Sequence, residues 1–175
     1  LHFFEMSIRG KDTNGNDVPL HAEVVAVREE LGGHTPPGDP SRFEVVPGDS
    51  VLDLAPCEAP SVAIEAFDSQ AAADYLKTSY QLERRTVVQA DRQRHAKTVR
   101  EYLEKSFAAR IRRAQDRAME LNAQASSKPE YQIAASEATK QVAELERARD
   151  DRIQRLARLE TARTGPLQHL GTALV

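Results

Sequence analysis

The chain has 175 residues, of which 40% are hydrophobic and 29% are charged, and it contains no tryptophan. No apolar run approaches the ~20 residues that a membrane-spanning helix requires, which excludes a membrane protein on this criterion. Cys57 is the single cysteine, so an internal disulfide framework and a multi-cysteine zinc site are both excluded. These properties indicate a protein of the reducing cytoplasm.

The net charge of -3 conceals an asymmetry along the chain. Residues 1–81 carry 5 basic and 14 acidic side chains, whereas residues 82–175 carry 19 basic and 13 acidic side chains. An acidic first part and a basic second part predict either different partners for the two parts or a contact between them.

Strand patterns dominate residues 1–66, which we interpret as a small β-rich head. Residues 3–9 partly alternate apolar and polar side chains, and Asn14-Gly15 is a strong signal for a hairpin turn before a return strand over 18–29. A loop is expected over 32–40, a third strand over 42–46, and a short helix or strand over 51–54.

Helical spacing begins after this head. Asp68 or Ser69 can cap a helix over 71–80, and whether that helix continues into the next one is left open, with the β-branched stretch 86–88 as a candidate kink. Apolar residues then recur at steps of three and four, with Tyr102 beside them: Val99, Leu103, Phe107, Ile111, Ala114, Ala118 and Leu121.

A second helix returns after a turn at residues 126–129. Ser127 and Glu130 match a capping box, Gly165-Pro166 is a stop signal, and the apolar positions between them are Ala134, Ala138, Val142, Leu145, Ile153, Leu156 and Leu159. The predicted fold class is therefore α+β, with the head followed by a long, coiled-coil-like antiparallel helical hairpin over 67–164. Residues 165–175 are expected to form a tail that leads into a downstream domain.

Signatures of catalysis are missing from the sequence. There is no phosphate-binding GxxxxGK loop and no HExxH motif, and the five histidines form no close pair in the sequence. A catalytic pocket that gathers His34, Asp39 and Asp49 is the least favoured hypothesis. We therefore expect no catalytic residue, no metal ligand and no cofactor within these residues.

Arginines give the strongest interaction signal. They follow both helices, and antiparallel pairing brings the start of one helix beside the end of the other, so phosphate contacts along a nucleic acid are one interpretation. The other interpretations are a solvated face with intrahelical acid–base pairs or contacts with the acidic head. The candidate nucleic-acid-binding residues are Arg84, Arg85, Arg92, Arg94, Arg110, Arg112, Arg113, Arg117, Arg152 and Arg155.

Several segments resemble a known family. They are residues 52–56, 83–88, 99–111 (which include REYLEKSF), 144–152 and 164–175, and together they resemble the region after the ATPase core of bacterial Swi/Snf-type superfamily-two helicase-like proteins. The resemblance implies an accessory module of a DNA-dependent ATPase. ATP and Mg²⁺ would belong to the parent motor, an ATP hydrolase, and none of its catalytic residues can be placed here.

Two hypotheses follow. The first is a non-catalytic accessory domain, excised from a longer chain, that assists nucleic-acid engagement or couples the motor to other domains; its partners would be DNA, the ATPase core and a downstream domain. The alternative is a protein-interaction or dimerisation hairpin without nucleic-acid binding, in which the hairpin makes a homo-oligomer.

Overall fold

The computed structural model describes residues 1–30, 39–46 and 68–173. The loop expected over 32–40 therefore lies almost entirely outside the described residues, as do the element expected over 51–54, His34, Asp49 and Cys57. The described chain forms two compact units, one containing residues 1–11, 17–90 and 162–175, the other residues 12–16 and 91–161. The elements are β1 (His2–Lys11), β2 (Asp17–Glu29), β3 (Phe43–Val46), α1 (Ser69–Thr78), α2 (Tyr80–Ala125), α3 (Gln132–Ala157) and β4 (Ala162–Thr172).

The first unit is built on an antiparallel sheet with strand order β3-β2-β1-β4. Every second residue of β1 is buried, including Phe4, Met6 and Ile8, as the pleat of a strand with one covered face requires. Phe4 and Met6 pack with residues of β2, β3 and α1 to form the core. The predicted α+β class is confirmed, since this sheet is joined to two long helices.

The fourth strand differs from the sequence-based expectation. Residues 165–175 were expected to be a tail after a helix stop, whereas Ala162–Thr172 pairs with β1 along most of its length. Gly165 is needed for close strand approach rather than for ending a helix, because a Cβ there would lie 3.0 Å from the Ser7 carbonyl oxygen. Pro166 is compatible with β4 because β4 lies at an edge of the sheet.

A buried polar network sits beside the core. Glu29 accepts hydrogen bonds from Arg42 at 2.7 Å and from the Asp68 backbone amide at 3.2 Å, and its other polar neighbour is the His2 Nε2 at 3.0 Å. The side chains of His2 and Glu29 are fully buried. Burial of a carboxylate is tolerable here because charged and polar partners surround it.

An ion-pair clamp joins three strands of the same sheet. Asp17 of β2 lies 2.8 Å from both Arg9 of β1 and Arg163 of β4. Hydrogen bonds from Arg163 and Arg9 lower the pKa of the Asp17 carboxyl below its ordinary value. A lowered folded-state pKa means that the clamp stabilises the sheet above the unfolded-state pKa and that this contribution is lost as the pH falls through the folded-state pKa.

The helices break at Ser79 rather than at residues 86–88. Asp68 caps α1 by accepting hydrogen bonds from the Gln70 and Ala71 amides, as predicted, and the break falls where Ser79 leaves the helical region with φ -105° and ψ -83°. The helix α2 then runs through the β-branched stretch without interruption.

The second unit contains a helical hairpin, but two predictions for the start of α3 were wrong. The expected capping box is absent: the Ser127 hydroxyl donates to the Gln124 carbonyl instead, and a 3-10 turn over Pro129–Tyr131 precedes α3. Ala134 is exposed, and Ala135 is buried in its place. The buried or half-buried positions then follow a 3-4 heptad spacing through Ala138, Val142 and Leu145, which is typical of an antiparallel coiled-coil seam.

We predict that Glu29→Ala destabilises the first unit by about 3–5 kcal/mol, because it leaves Arg42 and His2 without their buried partner. Glu44→Ala is the matched control: its carboxylate pairs with Arg28 but is 69% exposed, so the cost should stay below about 1 kcal/mol. Hydrogen exchange of the β1 and β2 amides measures the loss of stability in both variants. Equal exchange rates in the two variants would contradict a stabilising role of the network.

Candidate nucleic-acid interface

The ten candidate arginines are divided between the two units. Arg84 and Arg85 belong to the first unit and the other eight to the second. Arg84 donates to the Tyr80 hydroxyl at 3.0 Å and lies 3.4 Å from Glu23, and the hydrogen bond with Tyr80 raises the pKa of Arg84 above its ordinary value. This arginine is therefore held by its own unit, and Arg85 is half-buried.

Three candidates in the second unit have intramolecular partners. Arg92 donates to the Leu159 carbonyl oxygen across the hairpin, and burial lowers the pKa of its guanidinium. Arg94 pairs with Asp91, and Arg155 lies 2.8 Å from Asp151 one turn away. The intrahelical pairs considered from the sequence therefore occur at Arg94 and Arg155.

Three other arginines line one groove of about 300 Å³ between the hairpin helices. Arg110, Arg113 and Arg117 lie on α2 at positions i, i+3 and i+7, which share one helical face; Gln141 and Leu145 of α3 line the other side. We call this surface the arginine groove. Within the described part of the chain, none of these three arginines takes part in an ion pair.

An aromatic ring holds two guanidinium groups at the Arg110 end of the arginine groove. Phe107 is buried in the hairpin seam, and the guanidinium of Arg110 lies 5.5 Å from its ring centroid while that of Arg152 lies 5.4 Å away. Cation–π attraction orients both guanidiniums without consuming their hydrogen-bond donors. Arg110 and Arg152, which come from different helices, are thus brought together at one ring.

Arg112 is the candidate that the structure separates from this surface. It is exposed, but it is not among the residues lining the arginine groove. Its position, two residues after Arg110, turns its side chain about 160° around the helix axis from that arginine. A sequence run of basic residues does not distinguish these two faces of a helix, whereas the 3.6-residue period does.

Acidic residues limit the basic surface toward the hairpin turn. A neighbouring groove of about 470 Å³ shares Arg117 and Gln141 with the arginine groove, and Glu137 and Glu144 also line it. The local charge therefore changes from basic to mixed beyond Arg117. Lys140 also lines that groove and pairs with Glu137 at 3.0 Å, so an anion that follows α2 is favoured from Arg110 to Arg117 and meets a balanced set of charges further along.

The opposite flank of the hairpin carries an apolar groove of about 500 Å³. Ala118, Met119 and Asn122 of α2 and Thr139, Val142 and Ala143 of α3 line it. Met119 is 64% exposed there. We refer to this surface as the apolar groove.

Tyr102 has a different environment from the one predicted from the sequence. The prediction is a position beside the apolar stripe, whereas the side chain is 73% exposed. Tyr102 and Arg113 are eleven residues apart, about three helical turns, so the two side chains leave α2 in directions that differ by only about 20°. The signal was available in the sequence, because the period that defines the buried stripe also assigns Tyr102 to the arginine side.

Of the three residues of the hypothetical catalytic pocket, Asp39 lies within the described part of the chain, whereas His34 and Asp49 lie outside it. Asp39 accepts hydrogen bonds from Ser41 and caps a 3-10 turn, and the Ser41 backbone amide is the main cause of the lowered pKa of this carboxyl. Among residues 1–30, 39–46 and 68–173, no group of three or more potential ligands could hold a metal ion. The helices in these ranges also lack the combination of length and apolar character that a membrane span needs.

Comparison with protein-family models, curated proteins and solved structures finds no match to this chain.

Proposed function

We propose that this chain is a non-catalytic accessory domain of a cytoplasmic, Swi/Snf-like DNA translocase, and that it engages nucleic-acid phosphates through the arginine groove. The observation that carries the proposal is the alignment of Arg110, Arg113 and Arg117 in one groove without carboxylate partners in the described residues. The resemblance of the sequence to the region after a helicase core supports the translocase context. ATP and Mg²⁺ would then act in the parent motor.

Charge is the first argument for a phosphate partner. Arginine carries a permanent charge and five donors in a planar fork that matches phosphate oxygens. Arg100, on the same helix as the groove arginines, is paired with Glu160 at 2.6 Å. The groove arginines lack such a pair within the described residues, so most of their donors remain available to an external anion; the Arg113 Nε is the exception, since it donates to the Ala109 carbonyl.

Order of the side chains is the second argument. Arg113 donates from Nε to the Ala109 carbonyl at 3.2 Å, and Phe107 holds Arg110 and Arg152. Long side chains lose rotamer entropy when they bind a ligand. Arginines that are already held by a backbone oxygen or an aromatic ring lose less, which favours the binding of a regularly charged backbone.

The length of the arginine groove is consistent with a short contact to the phosphates of one strand. From Arg110 to Arg117 the helix rises ~10 Å, a length that spans about three phosphates of one strand. Three or four neutralised phosphates predict a slope of log affinity against log salt of roughly -2 to -4, shallower for a single strand than for a duplex. This is a positioning contact rather than a sequence-reading one, since phosphates carry no base information.

We predict that Arg113→Ala weakens binding to DNA about fivefold and makes the salt slope shallower by roughly 0.9 on a duplex or roughly 0.7 on a single strand, because one phosphate contact is lost. Arg147→Ala is the charge-matched control, since Arg147 is exposed on α3 and is not among the residues lining the arginine groove. Fluorescence anisotropy of labelled oligonucleotides between low and moderate salt gives both quantities.

Identical losses in the two variants would mean that net charge, not the groove, determines affinity. Absence of binding to any oligonucleotide at micromolar protein and low salt would overturn the proposed function. Circular dichroism of each variant verifies that the helices are intact.

A second candidate function is homodimerisation through the hairpin, which the apolar groove favours. A two-fold interface sets one patch against its own copy, so the patch must be self-complementary. Gln115, Asn122 and Thr139 surround the apolar residues with neutral polar groups, and Glu146 is the one charged residue among those lining the groove. Such a patch can face a copy of itself with little like-charge repulsion.

We predict for this second candidate that Met119→Glu reduces dimer formation at least tenfold, because two carboxylates would be buried in one interface. Ile133→Glu is the control, since Ile133 is 78% exposed and is not among the residues lining the groove. Light scattering over a concentration series measures the mass. A constant monomer mass in the unmodified chain would exclude this candidate. Polar changes at Phe107 or Leu156 would not test it, because both are buried in the seam.

A further inference from the structure

An exposed aromatic ring extends the basic face of α2 toward the start of the hairpin. Tyr102, Ser106, Arg110, Arg113 and Arg117 are spaced by four, four, three and four residues, so all five leave the helix within a sector of about 80°. Tyr102 is 73% exposed. Its ring and its polar edge are therefore accessible to a ligand.

The helix α3 contributes to the same face. Arg152 shares the Phe107 ring with Arg110, and Arg155 follows Arg152 by three residues, on the adjacent turn. In an antiparallel hairpin these positions lie opposite residues 103–107 of α2. The helix α3 thus adds the Arg152 guanidinium to this face, whereas Arg155 is paired with Asp151.

We infer that this face binds single-stranded nucleic acid, with Tyr102 as a stacking platform for a base and the arginines as phosphate ligands. The inference rests on the proposed function, because it names the form of nucleic acid that the arginine groove takes. Charge alone does not distinguish a duplex from a single strand. An exposed aromatic ring beside the charges does, because the bases of a duplex are already stacked on each other and a single strand can present them to the ring.

The length of the face agrees with a single-stranded site. Tyr102 and Arg117 are fifteen residues apart, a rise of ~22 Å along the helix. At the ~3.4 Å per nucleotide of a stacked strand this length covers roughly six nucleotides, and fewer of an extended strand, which falls at the lower end of the range of about 4–16 nucleotides that single-strand sites occupy. A base on Tyr102 and phosphates along Arg110 to Arg117 can thus belong to one short strand.

The test compares three labelled ligands of equal length with the full chain: a single-stranded oligonucleotide, an abasic strand with the same phosphates, and a duplex. Removal of the ring in Tyr102→Ala should weaken binding to the base-containing single strand about 5- to 100-fold. Affinity for the abasic strand and for the duplex should not change, since neither offers a free base. Tyr102→Phe should keep the affinity of the unmodified chain.

Ile133→Ala is the matched control for loss of an exposed apolar side chain, because Ile133 is 78% exposed and is not among the residues lining the arginine groove or the apolar groove. It should leave affinity for all three ligands unchanged. Intrinsic fluorescence provides an independent readout, since the chain has 4 tyrosines and no tryptophan. Stacking on Tyr102 should quench part of the tyrosine emission, and Tyr102→Ala should remove that quenching.

The possible results distinguish a failure of base stacking on Tyr102 from a failure of nucleic-acid binding as such. Equal affinity of Tyr102→Ala and the unmodified chain for the single strand would overturn the stacking role while leaving phosphate binding intact. Equal losses on all three ligands would also overturn it, because they would indicate a structural role for the ring. Failure of the unmodified chain to bind any of the ligands would overturn the proposed function itself.

Discussion

The pairing of β1 with β4 is the interaction on which the architecture depends. These strands are separated by both long helices in the sequence, yet His2 lies opposite Thr172 and Gly10 opposite Ala162. Closing so long a segment costs chain entropy, and the ladder, the Asp17 clamp and the hydrogen bonds from Gln81 to the Ser7 and Gly165 carbonyls offset that cost. The hairpin is thus an insertion between strands of a single sheet.

An insertion of this kind has to return to where it began, which favours two antiparallel helices over one extended helix. The seam of small and branched residues then leaves two flanks of different chemistry. One flank carries the arginine groove and the other carries the apolar groove. Separation of charge and apolar surface onto opposite flanks allows one hairpin to meet two kinds of partner without placing a charge against an apolar surface.

The sequence predicts features that depend on local periodicity and fails where distant segments meet. The α+β class, the Asn14-Gly15 turn and the Asp68 cap follow from neighbouring residues. The role of β4 could not be found in this way, because Gly165 and Pro166 carry the same signal after a helix as on an edge strand, and only the partner β1 decides between them. The sequence likewise predicts the basic residues of the arginine groove, but it does not predict which of them share a groove, because α3 forms the other side.

The Phe107 ring links the stability of the hairpin to its surface chemistry. A phenylalanine in the seam is explained by packing alone, but Arg110 and Arg152 meet at its ring from different helices. Fixing two like charges near each other is unfavourable unless an anion or solvent compensates them. A hairpin that needed only stability would be better served by one carboxylate at this position, as Glu160 serves Arg100. No carboxylate is found among the described partners of Arg110 and Arg152, so solvent compensates these exposed charges in the free chain, and a phosphate would replace that solvent under the proposed function.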